Sequence, residues 1–180
     1  MKKIIRLCAT AFTLLLPFSV SAEQSVFLEI GAQSGGDKVA QNISGGDDYS
    51  AGSGAVIGAG VKKSLNAKVD FKATAAARYQ GGNDSAYASG LVAEGAALYK
   101  FNNQWSMGGG LHGDFASKVK DSQGTVTKFD DAFAPMMLVD WSYTPGISIG
   151  GKYIAADYKT TTGKDYNGNQ VAIYVHFNAF

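Results

Sequence analysis

The side chains with the chemistry to act fall at alternate positions of otherwise apolar, glycine-rich segments. The acids are Glu29, Asp70, Glu94, Asp114 and Asp140, the bases are Lys68, Lys72, Arg78, Lys100 and Lys152, and the histidines are His112 and His176. In an extended chain, His112-Gly113-Asp114 sets an imidazole and a carboxylate on one face. A hydrolase needs a nucleophile aligned with such a pair, and a metal centre needs about three converging ligands. The two histidines stand on separate segments, so the sequence predicts no catalytic residue, no metal site and no cofactor. Gly108-Gly109-Gly110 and Gly52-Ser53-Gly54 lack the following helix and the Lys-Ser/Thr pair of a phosphate cradle. Strand curvature is the better account of them.

The elements that carry these residues show a period of two. From Lys68 to Tyr79 the charges occupy only even positions and the odd ones are apolar. A helix would scatter those charges around its circumference, whereas a strand gathers them on one face. The same reading predicts eight strands, over 24–36, 49–61, 67–80, 86–101, 105–116, 132–143, 147–158 and 170–179, separated by Gly/Asn/Asp/Ser/Pro clusters. Odd-numbered connections are generally long and even-numbered ones short. Pro135 falls inside the sixth strand, where a missing N–H predicts a bulge or a shorter strand.

Composition narrows the class. The 180 residues hold 23 Gly, and 16 basic side chains nearly balance 15 acidic ones. That balance lacks the excess of Lys and Arg that marks a nucleic-acid binder. The first 22 residues stand apart: Lys2, Lys3 and Arg6, then an apolar Leu7 to Phe18, then Val20-Ser21-Ala22. This is the pattern of a cleaved export signal, too short to span a bilayer, leaving a mature domain at 23–180. Cleavage would remove those three cations and Cys8 and no acid, so the mature chain would carry 13 basic and 15 acidic residues and no thiol. Past Ala22 no apolar run reaches 18 residues, which excludes a helical membrane protein.

The uncharged strand face is rich in Val, Ile, Leu and Ala, including Leu28, Ile30, Ile57, Phe71, Val139 and Ile173. Two architectures fit this alternation: a soluble lipocalin-like barrel with the apolar face inward, or a membrane barrel with that face outward. Aromatic placement favours the second. Tyr99, Phe101, Trp105, Trp141, Tyr143 and Phe177 lie beside the short turns, and Tyr79, Tyr87, Phe115 and Phe133 beside the long loops. Two girdles flanking an aliphatic belt match the two water–lipid interfaces. The expected fold is therefore all-β, an eight-stranded antiparallel up-and-down transmembrane barrel. Its first and last strands must pair, because a lipid-exposed edge leaves backbone groups unsatisfied.

The last strand runs Val171-Ala172-Ile173-Tyr174-Val175-His176-Phe177-Asn178-Ala179-Phe180. A terminal Phe after an alternating strand looks like the assembly signal of bacterial outer-membrane barrels. The chain from 23 to 180 resembles the small eight-stranded barrels of the OmpA transmembrane-domain and OmpX type. Phe129-Asp130-Asp131-Ala132, Tyr153 to Lys159 and Asn167-Gly168-Asn169-Gln170-Val171 are similar to segments of small Gram-negative outer-membrane barrels. One departure is that Phe177 keeps the apolar parity while Phe180 falls off it by one residue.

The resemblance implies an outer-membrane location, contact with lipid and lipopolysaccharide, and insertion by the barrel-assembly machinery, with the external partner left open. The lipid deacylases of similar barrel size carry a lipid-facing His-x-Ser pair, and neither histidine here is followed by Ser at that spacing. Glu29, Asp70, Lys72, Arg78, Glu94, His112, Asp114, Asp140, Lys152 and His176 are expected to form a polar network inside the barrel. Balanced charges confined there should pair, because an isolated buried charge costs several kcal/mol. The expected role is structural or surface-interacting. The alternatives are an enzyme modifying membrane lipid, a narrow ion path through the network, or a soluble periplasmic binder of apolar ligands.

Overall fold

The computed structural model describes residues 24–41, 48–81 and 86–178. Residues 1–22, expected to be an export signal, and the terminal Phe180 lie outside the described residues. Eight long strands form the body: β1 (Gln24–Gly35), β4 (Gly54–Asn66), β5 (Val69–Gly81), β6 (Tyr87–Lys100), β7 (Trp105–Lys120), β9 (Ala132–Thr144), β10 (Ile147–Ile154) and β13 (Gln170–Asn178). Short strands decorate the long-loop end. These are β2 (Lys38–Gln41) with β3 (Asp48–Ser50), β8 (Val126–Lys128) beside the end of β7, and β11 (Asp157–Lys159) with β12 (Asp165–Asn167).

The eight strands pair in the order β6-β5-β4-β1-β13-β10-β9-β7, and β6 also pairs with β7, so the sheet closes. All its pairings are antiparallel. β1 meets β13 from Phe27 opposite Asn178 to Gly35 opposite Gln170. Closure removes the edges that would otherwise leave backbone N–H and C=O groups unpaired.

Side chains alternate across this wall. Ile57, Phe133 and Ile173 point outward at 64%, 72% and 65% exposure, while Glu29, Asp70 and Arg78 on the opposite parity are almost fully buried. Water-soluble monomers do not carry so wide an apolar belt, so the soluble-binder alternative is overturned. A lysine at Ile57 or Val139 is therefore expected to impair insertion by roughly 2–4 kcal/mol near the midplane. Folding yield into lipid vesicles measures this, and equal tolerance of lysine at the inward Thr74 would defeat the face assignment.

Several boundaries differ from the sequence reading. The second barrel strand runs over Gly54–Asn66 rather than 49–61, because Asp48–Ser50 pairs with Lys38–Gln41 in a separate hairpin. Its turn sits at 67–68, not 62–66. There the Asn66 carboxamide oxygen accepts the N–H groups of Lys68 at 2.8 Å and Val69 at 2.9 Å, a local bond that fixes a tight turn. Lys68, expected inside, is thus an exposed turn residue. The fifth strand continues past 116 to Lys120, and the seventh stops at Ile154 instead of 158.

Pro135 causes neither a bulge nor a shorter strand. It stands opposite Leu111 in an unbroken ladder, and its carbonyl accepts the Ala155 N–H at 3.1 Å, where β10 has already left the pairing. Because N–H and C=O of one strand residue point to the same side, the missing donor falls where β10 has no strand partner to offer.

A true bulge occurs in β7. Between Leu91 opposite Phe115 and Ser89 opposite Lys118, β7 contains one more residue than β6, and Ala116 adopts a φ of 52°. An extra residue in the left-handed region re-aims everything after it. Ser117 and Val119 turn inward, and Lys118 and Lys120 turn outward.

Candidate functional site: the charged barrel interior

Each barrel strand presents every second residue to the lumen, and the register sets these in tiers. At the short-turn end, Asp70 accepts from Lys100 at 2.8 Å and from the Ser64 hydroxyl at 2.7 Å, with Lys62 at 3.5 Å. The next tier joins Lys72, Asp140 and Tyr174. The Tyr174 hydroxyl donates to Asp140 at 2.5 Å, and Lys72 reaches Asp140 at 3.5 Å and the Tyr174 oxygen at 3.3 Å. The Lys72 ammonium also lies 4.5 Å from the centre of the Tyr174 ring, a favourable place for a cation.

The middle tier is built around Lys152. Its ammonium donates to Glu94 at 2.7 Å and to Glu29 at 3.3 Å. His176 Nε2 lies 2.8 Å from Glu29, and His112 Nδ1 lies 2.8 Å from Glu94. Two carboxylates on β1 and β6 are thereby bridged across the lumen by one cation from β10.

At the loop end the hub is Asp114. Arg78 donates to it at 2.5 Å and the Ser117 hydroxyl at 2.7 Å, and the Tyr158 hydroxyl bonds the same carboxylate. Arg78 also donates to the Ala51 carbonyl at 2.7 Å and to Ser117 at 3.1 Å. Gln170 Nε2 donates to the Tyr158 oxygen at 2.7 Å. Tyr158 belongs to the hairpin beyond the barrel strands. Burial, with the Asp114 charge beside it, pushes its phenol above the ordinary range, so it stays protonated and donates. These bonds tie β5, β7, β13, the first loop and the last hairpin into one capped mouth.

The strands of Glu94, Asp140 and Lys152 also bring an apolar cluster into the lumen. Leu98, Met136, Leu138 and Ile154 pack with Ala96 and Ala134, while Tyr49 and Phe129 close over them from the loops. Glycines supply the space. A Cβ at Gly110 would come within 2.0 Å of the Gly95 carbonyl oxygen, so β6 and β7 approach closely and bend. A Cβ at Gly150 would strike the Asp140 carboxylate and the Tyr174 ring at 2.5 Å.

All ten sequence-derived network residues are buried, at 7% exposure or less. By hydrogen bonds and ion pairs the structure brings them into three groups, the second and third touching where Tyr174 stacks on His176 at 4.6 Å. Asp70 stands with Lys62, Lys100 and Ser64. Lys72 and Asp140 pair directly at 3.5 Å and share the Tyr174 hydroxyl. Glu29, Glu94, Lys152 and His176 connect through His112, whose Nε2 lies 3.7 Å from Asp114, to Arg78. The Ser117 hydroxyl donates to Asp114, and among the described residues no hydroxyl is hydrogen-bonded to the His112 imidazole. Among the described residues, no three His, Cys, Asp or Glu side chains converge to hold a metal ion.

The outward aromatic residues pair with one another along the wall. Trp105 stacks on Trp141 at 6.0 Å and Trp141 meets Tyr143 at 5.4 Å near the short turns, where Tyr99 and Phe101 also pair and Phe177 is outward. Tyr79 stacks on Tyr87 at 6.2 Å, and Phe115 meets Phe133 at 5.5 Å, near the loops.

Sequence reasoning missed Tyr174, Tyr158, Ser117 and Gln170. The first two were within reach, since Tyr174 shares the parity of His176 and Tyr158 that of Lys152. Ser117 was not, because alternation from Asp114 puts Ala116 inward, and only the bulge brings its neighbour into the lumen.

No family model matches the chain, and no curated protein sequence matches it. Solved structures do match in fold. Ail, the attachment invasion locus protein of Yersinia pestis, is 12% identical with a TM-score of 0.56, over 88% of this chain and 99% of that one. Neisserial surface protein A is 11% identical, with a TM-score of 0.49 over 88% and 99%. OprG from Pseudomonas aeruginosa is 14% identical, with a TM-score of 0.43 over 86% and 93%. By structure and not by sequence, this chain has the fold of the small eight-stranded outer-membrane barrels.

Proposed function

We propose that this barrel is a closed, internally paired scaffold of the outer membrane whose role is structural or is exercised at its surface, not by transport or catalysis. The observation that carries this reading is the pairing of the interior charges with one another. Lys72, Arg78 and Lys152 each reach a carboxylate, and a cluster of buried apolar side chains packs in the same lumen. Barrels of eight strands are just wide enough to be filled in this way. Residues 1–22 act in this reading as the cleaved export signal. Phe180 serves as the assembly signal read by the barrel-assembly machinery, with the short turns periplasmic and the long loops external.

Three measurements test this. The protein should stay in the membrane fraction after carbonate washing and change its gel mobility on boiling; a soluble periplasmic pool would defeat the location. In planar bilayers it should give no steady conductance, and discrete open-pore steps would overturn the closed interior. A change in lipid A mass on overexpression, abolished by His112→Ala, would transfer the protein to the lipid-enzyme reading.

A further inference from the structure

The β7 bulge does more than deliver Ser117 to Asp114. Past Ala116 it turns Lys118 and Lys120 onto the outer face of the wall, and β8 sets Lys128 directly opposite Lys118 and diagonal to Lys120. Like charges directly opposite on a ladder destabilise it. Among the described residues, none of these three ammonium groups has a carboxylate within ion-pair distance. Two nearby acids are engaged elsewhere: Asp121 accepts the N–H groups of Gln123 at 3.0 Å and Thr125 at 2.8 Å, and Asp131 accepts that of Ala116 at 3.3 Å, while Asp130 is exposed on the parity of Lys128 without forming an ion pair with it.

The height of the cluster identifies its counter-ion. Lys120 pairs with Tyr87, whose ring stacks on Tyr79 in the loop-end aromatic group, and the Lys118 ammonium lies 5.5 Å from the centre of the Tyr87 ring. The lysines therefore stand level with the polar edge of the membrane and face lipid, not the lumen. Resting on the outer-membrane reading above, the external leaflet at that height presents phosphorylated glucosamine. We propose that Lys118, Lys120 and Lys128 form a docking surface for the phosphate groups of lipopolysaccharide, held against the outside of the barrel. The bulge and the extra strand β8 are what set three cations on one outward face there.

The test uses the full mature protein in detergent micelles with bisphosphorylated lipid A as the probe, read by native mass spectrometry or fluorescence titration. The triple variant Lys118→Gln/Lys120→Gln/Lys128→Gln should bind roughly 100-fold more weakly, about fivefold per lysine. Dephosphorylated lipid A should bind the unsubstituted protein with a similar loss and the variant with no further one. Lys164→Gln, on another hairpin, should bind like the unsubstituted protein. Unchanged affinity in the triple variant, equal binding of dephosphorylated lipid A, or equal binding of phosphatidylglycerol would each overturn the proposal. Gel mobility before and after boiling checks that the variant still folds. Carbonate fractionation fails separately if the location is wrong, so the two readings can be told apart.

Discussion

Lys152→Met is expected to destabilise the folded barrel by about 3–5 kcal/mol, the penalty for leaving a buried charge unpaired. Lys152 is 4% exposed and holds Glu29 and Glu94 together, at 3.3 Å and 2.7 Å. Without it, two carboxylates face each other across a lumen that methionine fills without neutralising. Urea unfolding in lipid vesicles, followed by the fluorescence of Trp105 and Trp141, measures the loss. The decisive comparison is the triple change Lys152→Met/Glu29→Gln/Glu94→Gln. Removing the whole charge group replaces paired ions by neutral side chains, which is often neutral in cost, so much of the stability should return. If the single variant is as stable as the parent, the tier around Lys152 is not the electrostatic centre of the barrel.

Arg78→Leu should cost a similar amount, about 3–5 kcal/mol, and should also loosen the mouth. Arg78 neutralises Asp114 and, through the Ala51 carbonyl, holds the end of the first loop, where Tyr49 and Ala51 are buried. Adding Asp114→Asn removes the orphaned charge and should restore most of the loss. It cannot replace the bond to Ala51, worth roughly 0.5–1.5 kcal/mol. The double variant should therefore be nearly as stable as the parent yet be cut faster by protease at the loop between β1 and β4. Equal protease resistance in both would mean that Arg78 does not fasten that loop.

Much of the architecture was legible because lipid enforces a rule that sequence can display. With apolar solvent outside and a narrow lumen inside, each strand must alternate, and a one-residue slip would turn charges outward. Lys72, Arg78, Glu94 and Lys152 could be assigned to the lumen on that ground alone. Boundaries were harder, because apolar alternation does not stop where the barrel does. Tyr49 and Tyr158 continue the pattern into hairpins that fold over the mouth, and the carboxamide of Asn66 moves a turn by several residues.

The sequence by itself determined the strand count, the polarity of the two faces, the balance of interior charge and the division of aromatic residues between the two ends. These are properties of period and order along one chain. The tertiary structure decided which charges meet, because Glu29 and Lys152 are separated by most of the chain and become neighbours only when β13 joins β1 to β10. It also decided the direction of every side chain after Ala116. One residue in the left-handed region reverses a parity that the sequence carries unbroken, moving a serine into the lumen and two lysines out to the membrane surface.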